Sequence, residues 1–310
     1  MDVMKNIWPY TYEELLNGLT GRWKAAAGRY AENTLFLSIT IYCEDGEWGY
    51  ATYMCGQEIS YEDLLALDRR FVRCTSIDVC NEPDTCDFPF PCSKEKLFNQ
   101  VIPFFIQRSS PFSGIQFLPN IHGIEMEHAR MYLKSLRSYI DLGLRETMLK
   151  LSYYGQESED FVAAWVDSNH CNRSVILDTS WPQTQAIEDL VLKYLRRKNY
   201  INFFIFCSTS EIEGHLKMNA KLLEATLDTW SKLDNDSFFT VGGAWSKDVE
   251  DLLSIPLPPN VTREEPTMDG EKVSTIEWTK EDGATLQCKI VWDICYDFIS
   301  FTRSSIAVDE

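Results

Sequence analysis

Between Ser158 and Ile212 the chain twice runs from a helix-period stretch straight into a short continuous apolar stretch. Ser158–Val166 leads to Ser174–Asp178, and Pro182–Arg197 leads to Asn202–Cys207. Parallel strands need a crossover of a dozen or more residues, usually a helix, so this alternation predicts parallel strands joined by helices. It also recurs along the chain. Tyr61–Phe71 precedes Thr75–Val79, and Ser93–Gln107, which Pro103 interrupts, precedes Gly114–Leu118. Met126–Leu142 precedes Thr147–Tyr153, and Ile212–Leu233 precedes Ser237–Val241. Helix starts recur every roughly 24 to 33 residues, near the period of leucine-rich repeats, although that consensus is absent. The expected fold is α/β: an irregular, leucine-rich-repeat-like solenoid of helix–strand units with a parallel sheet. A doubly wound open sheet gives similar alternation but lacks support from a Gly-rich first turn.

Hairpins are expected at both ends, where a stacked sheet must hide its edges. In the first, at 34–54, Leu35, Leu37, Ile39 and Ile41 alternate with polar or aromatic neighbours up to the turn at Asp45-Gly46. The second, at 272–301, turns at Asp282-Gly283 and ends in a closing strand, Tyr296–Phe301. Ile255–Pro266 is a Pro-rich connector and Ser246–Leu253 a further candidate helix. Ahead of the first hairpin lies a short helical module, with Leu15, Leu16 and Leu19 on one helix and Trp23, Ala26 and Tyr30 at helical spacing on the next. The organisation is thus a module at 1–32 and one αβ domain at 33–310.

Composition narrows the function. Net charge is −18 from 47 acidic and 29 basic residues, which disfavours nucleic acid and anionic membrane as partners. No basic-then-apolar leader opens the chain and no apolar run approaches the ~18 residues of a spanning helix, so a cytoplasmic or nuclear location is expected. The ten cysteines then read as free thiols. Cys74, Cys80, Cys86 and Cys92 are evenly spaced, but none forms the close pair that zinc sites use. No phosphate-binding, nucleophile-elbow or zinc-hydrolase motif occurs, and the four histidines are scattered. The neighbours His170 and Cys171 sit where a helix should end. Lys193–Lys198 reads as a helix C-terminus whose cations favour the dipole. No enzyme and no cofactor are expected; a cysteine-nucleophile enzyme is the remote alternative. In Phe203–Phe206 alternate residues face opposite sides of the sheet, so Phe204 and Phe206, or Phe203 and Ile205, lie on the helix-free side; an exposed aromatic pair there, Phe204 and Phe206, makes a partner-binding spot.

Gly21–Ala26 and the strand after it, Gly46–Tyr50, Leu65–Asp68, the Trp181-Pro182 that opens a helix, and Glu277–Gly283 together resemble an expanded nematode family of F-box-like proteins. The resemblance implies an N-terminal module that docks on a Skp1-type adaptor of a cullin ubiquitin ligase, and a repeat domain that captures a protein substrate. It assigns adaptor binding to Pro9, Leu15, Leu16, Leu19 and Trp23. The box is shortened, because Leu19 and Trp23 stand nearly together where an F-box has a further stretch. Some members of such families act as antidotes to toxins, which implies a narrower role. The alternative is a binding or inhibitory module without a ligase, whose first helices only cap the solenoid.

Overall fold

The computed structural model describes residues 16–44, 46–54, 56–80, 90–117, 125–141, 148–168, 174–178, 180–197, 200–206, 214–234, 237–245, 252–268, 273–292 and 297–303. The chain is mixed α/β and divides into two compact units, Met1–Lys150 and Leu151–Glu310. The division falls inside the span that the sequence presents as one domain from 33 to 310.

In the first unit, helix α1 (Gly21–Asn33) precedes the hairpin of β1 (Leu35–Glu44) and β2 (Glu47–Met54). Gly46 takes φ +83 in the turn, where a β-carbon is strained. The edge strand β3 (Gln57–Glu58) pairs with β2, and helix α2 (Tyr61–Ala66) leads to β4 (Val72–Cys80). Ser60 caps α2 as its sequence signals: Oγ accepts from the Asp63 N–H and donates to the Asp63 carboxylate. The helix ends at Ala66, five residues before the expected Phe71. There Leu67 turns extended, and the Asp68 carboxylate accepts from the Arg70 backbone and guanidinium, local bonds that compete with helix.

Short strand β5 (Phe90–Pro91) pairs with β2. Then α3 (Lys94–Lys96), a π turn (Leu97–Val101) and α4 (Ile102–Ile106) run on. Pro103 sits in the first turn of α4, where its missing N–H is harmless, so the break expected at the proline appears upstream as the π turn. Strand β6 (Ser109–Phe117), helix α5 (Met126–Asp141) and β7 (Met148–Leu151) complete the unit. Strand order is β7-β6-β4-β1-β2-β3, and β1, β4, β6 and β7 are parallel.

Strand β4 begins three residues earlier than expected because it is bulged. Its register against β1 and β6 slips around Thr75, whose Oγ1 donates to the Leu37 carbonyl at 2.9 Å. One extra residue keeps Val72, Cys74, Ile77 and Val79, all fully buried, on one face, although the numbering changes parity. A period-two pattern therefore shows only the second half.

The second unit contains α6 (Gln156–Asp167), β8 (Ser174–Asp178), α7 (Gln185–Leu195), β9 (Tyr200–Phe206), α8 (Ala220–Lys232) and β10 (Phe238–Ala244). Thr184 and Asn219 cap α7 and α8 by accepting from Ile187 and Leu222 N–H. Trp181 and Pro182 do not open α7. The Trp181 indole turns inward to donate to the Leu151 carbonyl at 2.8 Å, and Pro182 bridges His215. Strands β8, β9 and β10 are parallel and adjacent.

The C-terminal strands are β11 (Val261–Arg263), β12 (Thr267–Met268), β13 (Val273–Lys280), β14 (Thr285–Trp292) and β15 (Asp297–Arg303). The β13–β14 hairpin is where the sequence places it, and β15 pairs antiparallel with β10, extending the sheet as β8-β9-β10-β15-β14-β13-β11. Of the candidate helix Ser246–Leu253, only the final turn, Leu252 and Leu253, lies within the described residues.

In each unit consecutive parallel strands are neighbours. Connections between parallel strands are right-handed as a rule, and between neighbours in sequence order that rule sets the connecting helices on one face. The core lies between, with Phe161, Trp165, Tyr194, Trp230, Phe203 and Val241 buried in the second unit. Among the described residues no helix is long and apolar enough to cross a membrane.

Candidate functional site

On β9 burial alternates strictly. Ile201, Phe203 and Ile205 are buried on the helix side, where Tyr194 of α7 meets Phe203 with ring centres 5.5 Å apart. Phe204 and Phe206 therefore face the other way, a choice between this pair and Phe203 with Ile205 that alternation alone leaves open. Phe298 of β15 joins them: Phe204–Phe206, Phe204–Phe298 and Phe206–Phe298 ring centres lie 5.9, 6.5 and 6.0 Å apart, all stacked.

This contact spans three strands, because Gly242 of β10 lies between Phe204 and Ser300 in register. A β-carbon at Gly242 would come within 3.0 Å of both the Phe204 ring and the Ile299 carbonyl oxygen, so only glycine leaves the ring room to lie on the sheet. Phe206 remains 42% exposed. Tyr200 and Phe238 stack at 4.9 Å toward the start of the same strands, with Phe238 also exposed. Sequence spacing finds Phe204 and Phe206, but Phe298 is ninety-odd residues away and only the strand pairing brings it in.

Of the adaptor-binding residues implied by the resemblance, Pro9 and Leu15 lie outside the described residues. Trp23 is 48% exposed on α1, with the Arg22 guanidinium 5.7 Å from its ring. Leu16 and Leu19 are part-buried and pack on the small cluster of Ala27 and Tyr30, together with Phe71. Tyr30 meets Phe71 edge-on at 5.2 Å, which ties α1 to the chain entering β4.

The structure also assembles a trio that the sequence hides. Cys43 Sγ lies 3.6 Å from His128 Nε2, and the Glu125 carboxylate lies 3.6 Å from His128 Nδ1. Thiol, imidazole and carboxylate in this order are the parts of a nucleophile and its base. Here the thiol is 2% exposed, and burial pushes it up, so it keeps its proton behind a closed surface. An activated thiolate needs the opposite setting. With Trp48 edge-on to the imidazole at 5.3 Å, the trio fastens the β1 end to α5. Cys74 and Cys80 lie within β4 and donate to the carbonyls of Ser76 and Ile41. Cys86, His170 and Cys171 lie outside the described residues. Among the described residues no three His, Cys, Asp or Glu side chains gather as a metal site.

A cavity of about 410 Å³ is lined by Arg196, Arg197, Asp228, Thr229, Lys232 and Leu233. Within it Lys232 pairs with Asp228 at 2.7 Å and the Arg197 guanidinium donates to the Ser168 carbonyl. Lys280 and Arg303 donate to the Leu233 and Asp234 carbonyls at the end of α8. Cations at helix C-termini satisfy exposed carbonyls and the dipole. Farther back on α7, Lys193 pairs with Asp167.

No family model, curated protein or solved structure matches this chain.

Proposed function

We propose that this is an interaction protein, the F-box-like substrate-recognition subunit of a Skp1–cullin-type ubiquitin ligase, working in the cytoplasm or nucleus. Its leucine-rich-repeat-like αβ portion captures a target protein; an antidote bound to its toxin is the narrower form of this role. The observation that carries the reading is the aromatic stack Phe204–Phe206–Phe298 on the helix-free face, with Phe206 open to solvent. Large rings held flat at the centre of an accessible surface are what binding hot spots are made of. On the adaptor side, Trp23 is the exposed apolar anchor.

The test is affinity capture in two arms. Phe206→Asp should lose the target and keep the adaptor, and Trp23→Asp should lose the adaptor and keep the target. Absence of any Skp1-type adaptor from the wild-type capture rejects the ligase.

A second reading is favoured by the packing of Leu16 and Leu19 on Ala27, Tyr30 and Phe71. In it the first helices cap the sheet and the protein binds or inhibits its target without a ligase. Target capture by Phe206 without any adaptor supports that version.

A further inference from the structure

On the face that β9 turns away from α7, the aromatic stack has a second cluster in line with it. Tyr200 and Phe238 stack where β9 and β10 begin, and Phe206 and Phe298 meet toward their ends. From Tyr200 to Phe206 is six residues, about 20 Å at strand rise. Between the clusters Asn202, Thr240 and Thr302 stand side by side on β9, β10 and β15, and Phe204, Gly242 and Ser300 form the next row. None of the six is charged. The Thr240 and Ser300 side chains are half-buried and Thr302 is exposed, so their hydroxyls are open to a ligand. Asp178, beside Phe206, is buried, and Lys289 lies one strand beyond Ser300.

The backbone of this face is already used. β9 pairs with β8 and β10, and β10 pairs with β9 and β15, so no partner strand can add here. The rings of Phe204, Phe206 and Phe298 lie within 20° of parallel, with Phe204 over Gly242. They make a floor, whereas an amphipathic helix docks in a groove. A polyproline helix meets both conditions. It rises about 3.1 Å per residue with three residues per turn, so two turns span about 19 Å and prolines six apart reach both clusters. Its side chains are apolar and uncharged, and its carbonyls have no internal donor, so they can accept from threonine and serine hydroxyls. Its backbone is ordered before it binds, which lowers the cost of docking.

We propose that this face is a docking site for a proline-rich segment of the partner protein, with prolines two turns apart on the Tyr200–Phe238 and Phe206–Phe298 clusters. The inference rests on the reading that the face captures a protein, and adds the chemistry of the segment captured.

The probe is an acetylated, amidated nonaproline titrated into the full chain by calorimetry. Tetraproline, a glycine–serine peptide of the nonaproline's length and the neutral sugar cellotetraose run alongside. Nonaproline should bind, and Phe206→Ala and Phe238→Ala should each weaken it about tenfold, the ordinary worth of an anchoring ring. Phe206 is 42% and Phe238 49% exposed, so neither truncation opens the core. Tetraproline, about 12 Å long, reaches one cluster and should bind more weakly. No nonaproline binding at millimolar concentration overturns the proposal. So does equal binding of tetraproline, the glycine–serine peptide or cellotetraose, or either variant binding nonaproline as the wild type does. If nonaproline stays silent while Phe206→Asp still loses the target, this inference alone falls.

Discussion

Each unit has one strand at the centre of its parallel run that turns a distinctive residue away from the buried side: β4 carries Asp78 in the first unit, and β9 carries Phe204 in the second. Their neighbours in register differ as sharply: Thr40 and Gln116 beside the acid, Ile176 and Gly242 beside the ring. Both strands sit in runs of adjacent parallel strands and present buried aliphatic or aromatic residues to the helices, Ile77 and Val79 in one, Phe203 and Ile205 in the other. The comparison separates two demands. The helix side must exclude water, so its residues are interchangeable in kind. The opposite side is released from that demand, and there the units diverge into a polar surface with an under-satisfied acid and an aromatic one with a glycine floor.

The largest effect should fall on the shared side. Phe203→Ala removes a ring that is 1% exposed and should cost about 3–5 kcal/mol by denaturant unfolding. Phe206→Ala, three residues along on the other face, should cost under about 1 kcal/mol yet lose the target; equal losses of stability would break the distinction between faces. Next comes Gly242→Ala, expected to cost about 1–3 kcal/mol, since its new carbon meets the fixed Ile299 carbonyl as well as the Phe204 ring. Hydrogen exchange should place the loss in β9, β10 and β15.

Asp78→Asn should do the reverse and stabilise the chain by about 1 kcal/mol at neutral pH, because an ionised oxygen without a donor is a penalty. The sign follows from linkage. Asp78 binds its proton more tightly folded than unfolded, so its contribution falls as pH rises from the ordinary value of 3.8 through the raised folded value. The gain from Asn should therefore fade below about pH 3.8 and be full above the folded value; denaturation curves across that range test it. Smallest is Trp23→Ala, within about 0.5 kcal/mol for an exposed side chain, with adaptor capture as the informative reading.

Much of this was legible beforehand because local pattern and tertiary role agree. The β1–β2 hairpin, the Ser60 cap and the β8 strand follow from alternation, turn residues and capping pairs, each written within a few positions. Legibility failed where distant residues intervene. Thr75 reaches back to the Leu37 carbonyl and bulges β4, so half the strand vanished from the pattern. Trp181 left the start of α7 because the Leu151 carbonyl wanted its indole. Leu16 and Leu19 have helical spacing whether they face a partner or Tyr30, and spacing is blind to that choice.

The order of residues alone determined that helices and strands alternate, that the ends are hairpins and that Phe204 and Phe206 share a face, since these depend on periodicities of the backbone itself. Tertiary structure decided that Phe298 completes the aromatic stack, that Cys43 meets His128 and stays protonated, and that Asp78 sits beside Thr40 and Gln116 with one oxygen unserved. Those outcomes turn on which strands become neighbours and what burial does to a charge, and both are properties of the packed chain.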